Sequence, residues 1–300
     1  MMAALGGDSL VWAEVPVNDI EPTSEAKADT VEIAPRRWQT DVVARISGSQ
    51  TGFRNWAEGG TNSLASSANL SGKFVRRTPS WRTNHETRLA FGIVRQNGSS
   101  LRKVEDLIHW NTAINYTGNG FFQTFNPTLA FDVRTQFAQG FNYDRNPFND
   151  GREAPVKVSD FFSPATLQQS IGLSYVGGPD EWFKYRLGFG SKQTIVANKY
   201  LRSLYGLDFD QALRYQIGME SRTEVNLEIA TNVRYRSTLG LFAAFNRADL
   251  PDMMWENLVS MRVNSWLGVN FEFITYYDRE VSDALQFKEV LSVGLTVVIV

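Results

Sequence analysis

The chain has no cysteine, only two histidines, and no run of strictly apolar residues longer than five. Without cysteine, disulfides, thiolate metal sites and a cysteine nucleophile are excluded. Without a long apolar run a membrane-crossing helix is excluded, since one needs about 20 mostly apolar residues. A basic excess is lacking too: 30 Lys and Arg stand against 32 Asp and Glu, a formal net charge of −2. No positive field is there to draw in nucleic acid. What the chain does carry is aromatic residues, 20 Phe, 10 Tyr and 8 Trp, in 300 residues of which 43% are hydrophobic. Its length suits one large β domain or two ordinary ones.

The stretch 121–138 shows how the apolar residues are distributed. Phe121, Gln123, Phe125, Pro127, Leu129, Phe131, Val133, Thr135 and Phe137 alternate with Phe122, Thr124, Asn126, Thr128, Ala130, Asp132, Arg134, Gln136 and Ala138. This is a strand with one oily and one wet face. It is far longer than the usual strand of about 5–6 residues, and a tilted strand needs roughly 9–11 to cross a bilayer. Pro127 cannot donate to a sheet ladder and predicts a bulge or an edge at that point.

The same alternation predicts strands at 39–50, 62–76, 80–95, 101–117, 121–138, 162–176, 182–191, 209–221, 224–236, 252–263, 266–278 and 285–300. Links at 77–80, 118–120, 177–181, 221–223 and 264–265 are tight. Those at 51–61, 140–161, 192–208 and 237–251 are long, with 96–100 and 281–284 as shorter members of that set. An even strand count with short turns at one rim and long loops at the other predicts a closed, antiparallel, up-and-down transmembrane β-barrel of about 12 strands, with both chain ends on the periplasmic side. A soluble sandwich alternates in the same way but buries its oily face, placing Phe131, Phe271 and Leu295 between two sheets. Trp81, Tyr116, Tyr175, Trp182 and Trp266 fall beside tight turns, as an interfacial aromatic girdle does. His85 interrupts the oily face of its strand and predicts a bulge, and Glu289 interrupts that of the last strand and predicts a register shift.

The wet face is rich in charge. Arg82, Glu86, Arg88, Asp132, Arg134, Arg186, Arg214, Glu220, Glu228, Arg234, Glu256, Arg262, Glu272 and Lys288 are the candidate lumen-lining residues. Mixed charges there either tie into a salt-bridged plug or line a wet channel. In the first long loop, Asn55, Trp56, Gly59 and Gly60 form a motif that reads as a folded lid, with a ligand clasp as the other reading. The loop 140–161 either folds into the lumen or stays in solvent, and Asp144 and Asp150 give a faint divalent-cation signal. His109 is expected on the wall near the long-loop rim, and 196–204 as a short packing helix. Residues 1–37 read as a leader and a tether. The first thirteen match either the end of an export signal at Val11-Trp12-Ala13 or a plain leader, and 14–35 are acidic, proline-containing and aperiodic. The barrel is assigned to 38–300.

The closing strand alternates Leu285, Phe287, Leu291, Val293, Leu295, Val297 and Ile299 with polar residues. It must pair with the first strand, because an open edge does not survive in lipid. Gly294 followed by Val297 and Ile299 is similar to the terminal signal of outer-membrane barrels, without its final aromatic. Three stretches carry a wider resemblance: Phe53-Arg54-Asn55-Trp56-Ala57-Glu58-Gly59-Gly60-Thr61-Asn62-Ser63, Thr135-Gln136-Phe137-Ala138-Gln139-Gly140-Phe141-Asn142-Tyr143 and Gln286-Phe287-Lys288-Glu289-Val290-Leu291. With these the chain resembles, over roughly 38–300, an uncharacterised Bacteroidetes-type family of outer-membrane β-barrels catalogued as a domain of unknown function. The resemblance implies location and fold and no activity.

A catalytic function finds no pattern to rest on. Membrane-embedded lipases place Ser two residues after His, whereas His85 is followed by Glu86-Thr87 and His109 by Trp110-Asn111. The expectation is therefore a non-enzymatic barrel in the bacterial outer membrane, without cofactor or metal. Its partners are the lipid bilayer, the barrel-assembly machinery during insertion and a small polar solute, with no nucleic acid. It acts as a narrow pore for small polar solutes or ions. The alternative is a closed barrel that serves as an anchor or docking platform through its loops and tether, and an enzyme acting on envelope lipid ranks third.

Overall fold

The computed structural model describes residues 38–52, 61–247 and 251–299. The strands are β1 (Gln39–Thr51), β2 (Ser63–Arg77), β3 (Trp81–Gln96), β4 (Arg102–Tyr116) and β5 (Phe125–Thr135). A short hairpin of β6 (Gly140–Asn142) and β7 (Val156–Ser159) follows. Then come β8 (Ala165–Gly177), β9 (Phe183–Ile195), β10 (Leu213–Ala230), β11 (Val233–Ala244), β12 (Asp252–Arg262), β13 (Leu267–Tyr277) and β14 (Gln286–Val298). Twelve of them close into one antiparallel barrel, in the order β1-β14-β13-β12-β11-β10-β9-β8-β5-β4-β3-β2. Every connection joins barrel neighbours, and β5 meets β8 across the hairpin.

Alternation along each strand sorts the side chains, and exposure shows which face is outward. Leu291 is 69% exposed, Phe271 40% and Leu295 54%, while Glu220 and Glu272 on the opposite faces are each 6% exposed. A soluble sandwich has the reverse polarity. An apolar surface this continuous around a hydrogen-bonded, closed sheet fits a lipid bilayer, where every backbone group must find its partner inside the protein.

Closure itself is short. β1 and β14 are in register only from Val43–Val298 to Ser47–Gly294, whereas β1 and β2 pair along the whole of β1. A Cβ on Gly294 would lie 2.5 Å from the Ile46 carbonyl oxygen, so the seam closes only around a residue without one. Another close approach occurs where Gly172 of β8 faces Gly188 of β9. A Cβ on Gly172 would stand 2.2 Å from the Leu187 carbonyl oxygen.

Aromatic rings run along the short-turn rim. Trp81 packs edge-on against Tyr116 with centroids 5.1 Å apart. A second row passes from Phe125 to Tyr175 at 6.0 Å, from Tyr175 to Phe183 at 6.4 Å and from Phe183 to Trp182 at 5.7 Å. Trp266, beside its own turn, is exposed. Such rings suit the headgroup level of a membrane.

Several expectations are corrected. The long strand at 121–138 is really β5, because Gly120 takes a positive φ of 60° and Phe121–Thr124 form a helical turn before it. Pro127 needs no bulge: its ladder to β8 continues through Leu173, while its pairing with β4 ends at Thr128–Asn115. The turn predicted at 221–223 does not exist. β10 runs straight through those residues, and the chain reverses at 231–232, where Asn232 takes a φ of 63°. There is no bulge at His85, which stays on the outward face. It pairs with Thr112 and shares a 2.8 Å hydrogen bond with that hydroxyl. The β3–β4 irregularity lies at Gly92–Ile93 instead. Nor is there a register shift at Glu289, which faces outward opposite Phe273. The Asn55, Trp56, Gly59 and Gly60 motif and the tether at 1–37 lie outside the described residues.

Outward polarity gives a direct test. Phe271 sits midway along β13, so Phe271→Arg should destabilise the folded barrel by about 2–4 kcal/mol in liposomes. Urea unfolding followed by tryptophan fluorescence measures this. An effect near zero would mean the side chain does not meet lipid.

Candidate functional site

The register puts Arg82, Glu86, Arg88, Asp132, Arg134, Arg186, Arg214, Glu220, Glu228, Arg234, Glu256, Arg262, Glu272 and Lys288 on the inward faces of their strands. Three of them, Glu228, Arg234 and Arg262, are exposed at the short-turn rim, where Arg262 donates to Asn232 Oδ1 at 3.2 Å. Arg82 turns to the same rim and pairs with Glu181 in the β8–β9 turn. Four make pairs with an adjoining strand: Glu86 with Lys73 at 3.2 Å, Arg186 with Glu220 at 2.5 Å, and Asp132 with His109 at 2.8 Å. Arg214 is held near the long loops by Glu280 at 2.5 Å and by the Tyr205 carbonyl at 2.7 Å.

The remaining five reach across the barrel. Arg88 of β3 meets Glu272 of β13 at 2.5 Å, and Arg134 of β5 meets Glu256 of β12 at 2.8 Å. Lys288 of β14 lies 3.6 Å from Glu105 of β4. All three pairs join the wall β3-β4-β5 to the wall β12-β13-β14. Strand spacing gives a round barrel of this size a backbone diameter of about 24 Å. Stretched Arg and Glu side chains together span only roughly 12 Å from their Cα atoms by bond lengths. The two walls are therefore drawn together, and the section is oval. The close Gly172–Gly188 contact falls on β8 and β9, in the stretch of barrel joining these two walls, where inward side chains would crowd.

A cavity of about 680 Å³ lies between the walls toward the long-loop rim. Arg88, Asp132, Arg134, Glu220, Glu256, Glu272 and Lys288 line it. So does His109, whose Nε2–H donates to Asp132 Oδ2 at 2.8 Å. Gly140 and Phe141 of β6, Val158 and Ser159 of β7, and Tyr205 also border it, so part of the 140–161 loop does turn toward the lumen. Lys103 Nζ ties that loop down by donating to the Ala138 carbonyl at 2.8 Å and to Asp106 at 2.9 Å. Asp106 accepts from the backbone N–H of Phe137 and Ala138 at 2.7 and 2.8 Å.

A second tie comes from the β9–β10 loop. The 3-10 helix Lys199–Tyr205 is started by Asn198, whose side chain accepts from the Tyr200 N–H. Val196, Leu201 and Leu207 form a small buried cluster there, with Phe148 of the long loop and Tyr205 packed on it. This is the packing helix expected from the sequence. Tyr205 Oη–H donates to the Val158 carbonyl at 2.8 Å, and burial pushes its phenol pKa up to about 12.

Seven charged lining groups escaped the sequence reading: Lys103, Glu105, Asp106, Lys192, Arg222, Asp252 and Asp278. Lys192 Nζ donates to Asp252 at 2.6 Å and Asp278 at 2.8 Å, and Arg222 lies 4.0 Å from Asp132. Asp278 also accepts from Tyr276 Oη–H at 3.1 Å and from the Glu280 N–H at 3.0 Å. Burial alone would raise the Asp278 pKa, but the Lys192 ammonium and the Glu280 N–H hold it below the usual value. Asp150, proposed for a cation, is occupied by Asn146 at 2.7 Å and Arg152 at 2.6 Å. Among the described residues no group of three or more His, Asp or Glu is placed to hold a metal ion.

A family described as "Protein of unknown function (DUF3078)" matches residues 49–141, from the end of β1 into the β6 hairpin. That is narrower than the resemblance over 38–300, and it leaves the 286–291 stretch outside. Among curated proteins, none matches the chain. Solved structures that resemble it include the translocator domain of the autotransporter NalP from Neisseria meningitidis. It is 8% identical, with 89% of this chain and 90% of that one covered and a TM-score of 0.35. An outer membrane channel from Pseudomonas putida F1 is 14% identical over 91% and 98%, with a TM-score of 0.37. The β domain of the Bordetella autotransporter BrkA is 11% identical over 86% and 98%, with a TM-score of 0.31. Likenesses this distant carry no argument about activity. The chain holds an uncharacterised domain within a closed, twelve-stranded barrel whose own register establishes the fold.

Two measurements test the site. In a double-mutant cycle, Arg134→Ala and Glu256→Ala should show a coupling of about 0.5–3 kcal/mol, the range for groups in direct contact. Independent effects would mean that the walls are not bridged there. Asp278, with its lowered folded pKa, contributes stability that is full above about pH 4 and is lost as pH falls through the folded value. Asp278→Asn should therefore unfold at lower urea than wild type at pH 7, with the difference shrinking toward the acid end.

Proposed function

We propose that this chain is a bacterial outer-membrane barrel, of the Bacteroidetes type its sequence resembles, that passes small polar solutes or ions through a narrow lumen without chemistry. The long loops face the outside, and both chain ends face the periplasm, following the usual loop asymmetry of such barrels. The assembly machinery inserts it, with β14 as the strand it recognises. The observation that carries the reading is the charged cavity of about 680 Å³ enclosed by the strands and bordered by the long loops. The fourteen inward candidates act as its wall: the seven around the cavity set the constriction, Arg82, Glu228, Arg234 and Arg262 surround the periplasmic mouth, and Glu86, Arg186 and Arg214 lie outside both groups.

A second reading is favoured by the bridges Arg88–Glu272 and Arg134–Glu256, which span the lumen. On that reading the barrel is closed and works as an anchor or docking platform, with its loops and the tether at 1–37 holding a partner. A pull-down that recovers the same partners after the tether is deleted would remove the tether from it.

Planar-bilayer recording separates the two. Purified, folded protein should give small, discrete conductance steps, and the double change Arg134→Ala with Glu256→Ala should enlarge them at least twofold. Silence from both proteins, each shown folded by circular dichroism, would sink the pore reading.

A further inference from the structure

We propose that the lumen is selective for small anions, an inference that rests on the pore reading and names its permeant class. Among the described residues, every carboxylate on an inward strand face except Asp41 and Glu228 lies within 4.0 Å of an arginine or lysine. Five inward bases have no carboxylate that close: Arg45, Lys184, Arg234, Arg236 and Arg262. Uneven pairing elsewhere cancels. Glu181 holds both Arg77 and Arg82, and Glu280 holds both Arg214 and Arg247. Against these, Lys192 serves Asp252 and Asp278, and Arg222 serves Asp132 and Glu224. The excess therefore comes from the unpaired groups, and it is positive.

These bases are not scattered. Arg234 and Arg236 of β11 and Arg262 of β12 are exposed toward the short-turn rim, and Lys184 lies at the same end of β9. Lys184 faces Glu224 in the ladder, but Glu224 already accepts from Arg222 Nε at 2.7 Å. The unpaired acids Asp41 and Glu228 stand at this rim too and are outnumbered there. Arg45 lies further in, midway along β1, where its Nε–H donates to Thr296 Oγ1 at 3.1 Å. A neutral hydroxyl orients the guanidinium without cancelling its charge. An anion entering at the short-turn rim thus meets exposed positive groups first and Arg45 beyond them. In a narrow, low-dielectric passage such groups concentrate anions and repel cations, as rings of Arg and Lys do in anion pores.

The test is a reversal potential in planar bilayers under a tenfold KCl gradient, with the dilute side at about 0.01 M, where screening extends over roughly 30 Å. Wild type should reverse on the chloride side of zero. The double change Arg234→Gln with Arg236→Gln should lower the chloride-to-potassium permeability ratio at least twofold. Glu228→Gln provides the opposite arm and should raise the ratio. All three side chains belong to exposed residues without an ion pair within 4.0 Å, so the variants keep the fold, which circular dichroism checks. A wild-type reversal at zero or on the potassium side overturns the selectivity while leaving a pore in place, and so does an unchanged ratio in both variants. No conductance at all overturns selectivity and pore together.

Discussion

A sheet surrounded by hydrocarbon must have no edge. With no water to satisfy a bare N–H or C=O, each unpaired backbone group would cost several kcal/mol, so the chain must return to where it started. The pairing of β14 with β1 meets that demand, over a short seam that tolerates no side chain at Gly294. The remaining architecture follows from it. Closure sends alternate side chains to lipid and to lumen, and it makes the number of strands a determinant of internal width.

Inside, electrostatics governs the shape. A charge in a confined lumen loses part of its hydration, and pairing recovers some of it, although bridges of this kind often only break even against apolar packing. Here they have a geometric consequence: Arg88–Glu272, Arg134–Glu256 and Lys288–Glu105 all act along one direction and hold the same two walls close. The long loop and the 3-10 helix after β9 are fastened over one end of this space by Lys103, Asp106 and Tyr205. Loop and lumen are thus parts of one structure.

Strand count, closure and face polarity were legible because they follow from period two, which survives any uncertainty about ends. Turn positions were less so. Ser221-Arg222-Thr223 looks like a polar link, yet the apolar odd positions from Leu213 to Ile229 keep one phase through it, and that unbroken phase marked a single strand. The misplacement hid Arg222, and ending a strand at residue 191 hid Lys192. His85 and Glu289 read as signs of irregularity in the sequence because polar groups on an oily face are costly. His85 is satisfied by Thr112 across the ladder, and Glu289 lies close to the long-loop end of β14, within reach of headgroups and water. The pairs across the lumen were not legible at all, since nothing in one strand's alternation tells which distant strand it will face.

The oval section has a mechanical consequence. The girth of the tube is set by strand number and spacing, and for a given girth a circle encloses more area than any ellipse. Rounding the barrel would therefore widen its passage without stretching or breaking one backbone hydrogen bond. What resists that change is a handful of side-chain contacts, so the stiffness of the wall and the width of the hole are governed by different parts of the molecule.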